Sequence, residues 1–273
     1  MKQSKVGHYI VLIIMTIILL LPILFTLIYS FSNGWIQLAP SGFPSFTNWR
    51  ELFADSPIFW RDVVTSIWLS VVPIFISLVC MILVMYTVVM HFPKLDGAIQ
   101  SISMIPYTIR GVVLAISVLT LYAGKGTIFS DRTVMLISLY SVIILPFVYR
   151  GLRNNLYAIN AKQIVEAAQL LGASGLYTFF RIIVPNMMTG IAVSALLSFG
   201  ALFTDYPIVK LVGGSRYETA QVYLLTKMKL ITGSKVASYI IMIFLIIYVI
   251  AMLSYTLQGR MDKKNTVRKD EGV

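Results

Sequence analysis

The chain has 273 residues, 58% of them hydrophobic and 12% charged, and a mean hydropathy of +0.84. A water-soluble domain carries roughly 25% charged residues because its surface faces water, so most of this surface faces lipid and a soluble globule is excluded. The net charge of +11 is scattered through connectors, with no basic helix interleaved with aromatics; it belongs to loops that orient a membrane protein and touch anionic headgroups, which excludes nucleic acid.

In chain order, the first apolar run is Tyr9 to Phe31, preceded by Lys2 and Lys5. It exceeds the roughly 7–15 residues of a signal-peptide core and has no small-x-small cleavage site, so it reads as a retained span. The second run, Val63 to Met90, carries no charge and holds Pro73 near one end. The third, Ala98 to Ala123, is interrupted by Pro106 and Arg110, and the fourth, Thr133 to Tyr149, has Pro146 close to its exit. The fifth runs from Ile182 to about Thr204 and the sixth from Val236 to Gln258, ahead of a basic tail. These lengths suit helices crossing about 30 Å of hydrocarbon and not barrel strands, which need only about 9–11 alternating residues. The expected fold is all-α and membrane-integral, with about six transmembrane helices. Residues 1–62 hold the first helix and an external loop, 63–258 the core, and 259–273 a basic tail.

Lys and Arg are mildly more abundant in the connectors that face inward if the N-terminus is inside, which predicts cytoplasmic N- and C-termini. Two external connectors follow from that choice. Ser32 to Asp62 is rich in Trp, Phe and Pro and reads as an interfacial anchor; Pro207 to Lys235 holds Gly213-Gly214, a turn. The inner connector, at about 150–182, reads Glu166-Ala167-Ala168, three residues, Gly172, nine residues, then Ile182-Ile183-Val184-Pro185. Asn160 has the chemistry of an N-cap with Gln163 as its capping-box partner. A short helix over Ala161–Leu171 follows, Gly172 supplies a left-handed stop, and Ser174 caps a second helix. Ala167 and Ala168 are small enough for another protein's backbone to come close.

This loop resembles the EAA motif of binding-protein-dependent ABC importer permeases, E-A-A-x3-G-x9-I-x-L-P, departing only at Val184. The resemblance covers roughly Val63 to Gln258, with the first span as an additional helix. It implies the type I importer permease fold, with the loop as a coupling helix. Glu166, Ala167, Ala168, Leu171, Gly172 and Ala173 would engage an ATPase subunit. It further implies two ATPase subunits carrying ATP-Mg, a second permease subunit as homo- or heterodimer partner, an external substrate-binding protein, and the bacterial-type inner membrane. No G-x-x-x-x-G-K-[ST] stands in the chain, so it cannot cradle ATP phosphates itself, and it is expected to hold no cofactor or metal and to be no enzyme.

The flanks of the motif, Leu171-Gly172-Ala173-Ser174 and Thr178-Phe179-Phe180-Arg181, look most like polyamine, ferric-iron, thiamine and phosphonate permeases. A polyamine-type substrate is the leading expectation, with an anionic solute, iron, thiamine or sugar as alternatives. Arg110, a charge mid-span, either lines the pathway and contacts an anion, snorkels, or pairs internally, for instance with Asp205. Asp205 is either an outer gate or a helix-end turn residue, and Ser194 and Ser198 serve either the pathway or helix packing. An ion-coupled secondary transporter would show paired intramembrane carboxylates or an inverted repeat. A membrane enzyme would show a nucleophile–base pair or metal site. Neither pattern stands in the spans; single Cys80 and separated His8 and His91 form no cluster.

Overall fold

A computed structural model of the chain describes residues 5–36, 39–54 and 57–270. Its elements are α1 (Lys5–Ser30), β1 (Gly34–Ile36), β2 (Ala39–Ser41), α2 (Thr47–Ala54) and α3 (Pro57–Met90), followed by α4 (Asp96–Thr108), α5 (Gly111–Tyr122), α6 (Arg132–Ile143) and α7 (Leu145–Ala158). Then come α8 (Ala161–Leu170), α9 (Gly175–Thr178), α10 (Val184–Asn186), α11 (Met188–Phe203), α12 (Ala220–Lys227) and α13 (Gly233–Asp270). Wider π turns occupy Phe179–Ile183 and Val209–Gly213.

Three helices are each long and apolar enough to cross a membrane: Val11–Ser30, Pro57–Val88 and Gly233–Thr256. Three helix pairs are long and apolar enough only when taken together, each bent at a short break: Pro93–Thr108 with Gly111–Tyr122 at 91°, Arg132–Ile143 with Leu145–Ala158 at 42°, and Gly175–Asn186 with Met188–Phe203 at 62°. The six apolar runs therefore correspond to six crossings when each bent pair counts as one.

Prolines explain part of the bending. Pro146 does not close the fourth run; it sits in the first turn of α7, where its missing N–H has no helical partner to lose. Helix α7 then continues to Ala158, so Arg150 and Arg153 are helical rather than part of a loop. Pro73, by contrast, is carried inside an unbroken α3.

The chain divides into two compact units, Met1–Arg61 with Tyr223–Ile247, and Asp62–Val222 with Tyr248–Val273. In the first, the apolar side chains of α1 from Val11 to Phe25 are exposed, as lipid permits and water does not. Its packing gathers in the segment after α1, where Asn48 Nδ2 donates to the carbonyls of Ser30 (3.3 Å) and Ser32 (2.9 Å). Phe31 stacks on Trp49, and Phe53 on Trp60. Phe59 meets Tyr239 edge-on at 4.7 Å, and Lys235 pairs with Glu51. The aromatic connector is thus internally packed.

In the second unit the core runs through Met85, Met135, Leu136, Tyr140, Ile144, Val148, Leu152, Phe179 and Phe203, all nearly or fully buried. Small hydroxyl residues let helices approach and tie backbones together: Ser77 Oγ donates to Ser141 O (2.9 Å), and Ser66 Oγ accepts from the Ala220 amide (2.9 Å). Asp131 caps α6 by accepting from the Thr133 and Val134 amides and pairs with Arg216 at 3.2 Å. Arg132 donates to Val212 O (3.2 Å) beside Gly214, whose φ of +61° makes the expected turn.

Candidate functional site

The loop between α7 and α11 begins with a left-handed residue. Asn160 stands at the N-cap of α8, as expected, but with φ 51° and ψ 49° and no capping bond from its side chain, which corrects only the capping box with Gln163. Asn tolerates this conformation better than other non-glycine residues. Here it turns the chain out of α7, while its carbonyl accepts from the Gln163 (2.9 Å) and Ile164 (3.3 Å) amides.

Helix α8 buries Ala161, Val165 and Ala168, positions spaced to form one face. Ala168 is therefore turned into its own chain. Glu166 and Ala167 are exposed, with Glu166 3.9 Å from Lys162 one turn earlier. At the tip, Leu170 and Leu171 are 90% and 89% exposed. Leu170 was missed by the motif reading, although two adjacent leucines at a helix end are a visible signal.

Gly172 then adopts φ +79°. Its amide bonds Gln169 O and the Ala173 amide bonds Ala168 O, both at 2.9 Å, the paired bonds of a Schellman stop. A Cβ there would meet nothing within 4 Å, so the glycine is required by backbone conformation alone. Ser174 Oγ accepts from the Tyr177 amide (3.3 Å) to start α9, and Ala173 is half-buried.

Flanking this elbow, α7 and α11 pack at the closest approach in the unit. A Cβ on Gly151 would lie 1.6 Å from Ser194 Oγ, and one on Gly190 would lie 1.9 Å from Asn155 Nδ2. Ser194 is fully buried and donates to Gly190 O at 2.6 Å, the geometry of a helix-packing residue. Ser198 is also fully buried, and its Oγ has no hydrogen-bond partner among the described residues.

Arg110 sits at the 91° break between α4 and α5, exposed, as the residue before the first turn of α5. Among the described residues it makes no ion pair, and the expected internal pairing with Asp205 is not formed. Asp205 Oδ2 instead accepts from Tyr140 Oη (2.8 Å) and the Ile208 (3.2 Å) and Val209 (3.4 Å) amides. It caps the turn that follows α11, the geometry of a helix-end residue. A Cβ on Gly111 would come 2.9 Å from Ile208 Cδ1, so α5 abuts that same turn.

The family of binding-protein-dependent transport system inner membrane components matches residues 1–267. The chain belongs to this family. Among similar proteins, the molybdenum transport system permease protein ModB of Azotobacter vinelandii is 29% identical over 135 residues, 45% of this chain and 58% of ModB. The sulfate transport system permease protein CysW of Escherichia coli is 26% identical over 273 residues, 91% of this chain and 87% of CysW. The spermidine/putrescine transport system permease protein PotC homolog of Mycoplasma genitalium is 26% identical over 159 residues, 58% and 56% of the two chains. The match thus spans little more than half of the ModB and PotC relatives.

Membership gives the chain the fold of a type I importer permease, the inner membrane component of a binding-protein-dependent transport system. Among the described residues, no group of three or more His, Cys, Asp and Glu side chains is placed to hold a metal.

Proposed function

We propose that this permease pairs with a second permease subunit to form the path of an ATP-driven importer for a small oxyanion, delivered by an external binding protein. The observation that carries the oxyanion is Arg110: an exposed arginine at the break of the third crossing, immediately before the first turn of α5, whose leading Gly111 and Val112 amides have no partner one turn back in the helix. A cation next to a helix N-terminus favours an anion. The nearby carboxylate that a polycation would seek, Asp205, is already engaged by Tyr140 and two amides. The transport roles for which the ModB and CysW relatives are named, molybdenum and sulfate, support the same class.

In this reading α8 faces the cytoplasm, as do both termini. Glu166, Ala167, Leu170, Leu171 and Gly172 present the coupling surface to one of two ATPase subunits that bind ATP-Mg. Closure of those subunits moves the elbow, turns the paired permeases outward to receive substrate, and hydrolysis returns them inward. A polyamine-type substrate is the second reading, favoured by the PotC homolog and by the flanks of the motif.

The test is uptake of sulfate, molybdate, phosphonate and spermidine into proteoliposomes carrying the whole importer, with and without Arg110→Gln. Oxyanion uptake that falls in Arg110→Gln is expected. Spermidine uptake untouched by the substitution would refute the oxyanion reading.

A further inference from the structure

Asp96, Tyr149, Arg153 and Tyr157 form a cluster that the transport reading leaves unused. Asp96 begins α4, and the other three stand at four-residue intervals along one stripe of α7. Asp96 Oδ1 accepts from Tyr149 Oη (2.9 Å) and Arg153 Nε (3.1 Å). Its Oδ2 accepts from Arg153 Nη2 (2.8 Å), Arg153 Nε (3.1 Å) and Tyr157 Oη (3.0 Å). The guanidinium also lies over the Tyr157 ring, 4.9 Å from its centre. From this geometry we infer that Asp96 is a positioning residue of the transport cycle: its clamp on α7 makes α4 follow the coupling elbow. The inference rests on the importer reading above.

Three features support it. First, the ion pair is bidentate and largely shielded, with side-chain exposures of 27% for Arg153 and 19% for Asp96. Five bonds to one carboxylate fix orientation. Second, α7 is held on two opposite faces. The stripe of Tyr149, Arg153 and Tyr157 grips α4, while Gly151 and Asn155, two residues out of phase, meet α11. Only Ile159 and Asn160 separate the end of α7 from α8. Third, a cleft of about 330 Å³ lined by Met85, Val88, Pro93, Asn160 and Lys162 leaves open space beside the start of α8. Asp96, Arg153 and Tyr157 line the same cleft, so the start of the elbow and the clamp border one space, and in the proposed cycle motion of the elbow reaches α4 through α7 and the clamp. Helix α4 extends about 20 Å from Asp96 to the break at Arg110, so a tilt at the clamp is delivered to the proposed substrate contact.

The experiment uses the complete importer in nanodiscs and compares parent, Asp96→Asn, Asp96→Glu and the exchange Asp96→Arg/Arg153→Asp. Substrate moved per ATP, stimulation of hydrolysis by loaded binding protein, and the α4–α7 distance between spin labels in nucleotide-free and ATP-trapped states are read. Asp96→Asn is expected to assemble and keep basal hydrolysis but move about fivefold less substrate per ATP, with a broadened α4–α7 distance. Asp96→Glu and the exchange are expected to recover part of the ratio. An Asp96→Asn complex with the parent's ratio, or one that fails to assemble, overturns the clamp. So does an α4–α7 distance that stays narrow in Asp96→Asn whatever the transport result. A parent complex in which loaded binding protein never stimulates hydrolysis contradicts the importer reading instead.

Discussion

Gly151→Ala probes the packing that holds the two helices flanking the elbow. The added Cβ would lie 1.6 Å from Ser194 Oγ, 2.9 Å from Ser194 Cβ and 3.3 Å from Gly190 O. The hydroxyl can rotate away only by giving up its 2.6 Å bond to Gly190 O, which leaves a fully buried polar group unsatisfied and costs about 1 kcal/mol. The Cβ–Cβ approach yields only to backbone movement, and overpacking of that kind costs about 1–3 kcal/mol. Replacing a helical glycine returns about 1 kcal/mol, so the net loss is about 1–3 kcal/mol. At roughly 2–4 °C per kcal/mol, the melting midpoint is expected to fall by about 2–12 °C. The assay is tryptophan fluorescence in detergent at a fixed scan rate. Ser194→Ala alone loses one hydrogen bond, about 1 kcal/mol. In the Gly151→Ala/Ser194→Ala double variant the 1.6 Å clash is gone, so the loss is expected to be smaller than the sum. A parent-like midpoint for Gly151→Ala, or strictly additive losses, would refute the reasoning.

Three further outcomes follow from the site. Gly172→Ala meets no atom but must hold φ near +79°; it is expected to cost about 1 kcal/mol, while Gly172→Pro leaves the protein in the membrane and uncouples hydrolysis from uptake. Full transport by the proline variant would count against the elbow. Leu170→Asp/Leu171→Asp places charge at a fully solvated tip, so the isolated permease is expected to melt as the parent does while the ATPase dissociates; retained ATPase in a pull-down would contradict the assigned surface. Hydrogen bonding from the Thr133 side chain, then from the Thr133 and Val134 amides, with Arg216 adding to it, holds Asp131 below the ordinary value of 3.8. Its contribution is therefore complete at neutral pH and lost as pH falls below about 4. Asp131→Asn is expected to lower the melting midpoint at pH 7 and to converge with the parent in acid, and an acid-insensitive difference would argue against the charge.

The crossings were legible because lipid demands uninterrupted apolar length, a signal that survives without tertiary information. Gly172 was legible too, since a glycine between a helix and a capping serine has one common use. The left-handed backbone of Asn160 was not. The same side chain suits a bonded cap and a left-handed turn, and only the backbone decides between them. The break at Arg110 was foreseen as an interruption, but Pro106 remains inside α4 and the bend falls three residues later. Ser194 and Asp205 were left open because a polar residue near a span reads alike whether it faces a path or a neighbouring helix. The Asp96 clamp joins residues more than fifty positions apart, and no local pattern announces such a pairing.

Purification of the tagged permease from its native membrane in mild detergent, followed by reconstitution, tests the importer account most directly. The expected result is a Walker-motif ATPase that copurifies, with uptake that requires both ATP and the external binding protein. Uptake by the chain alone, without ATP and driven by an ion gradient, would contradict it.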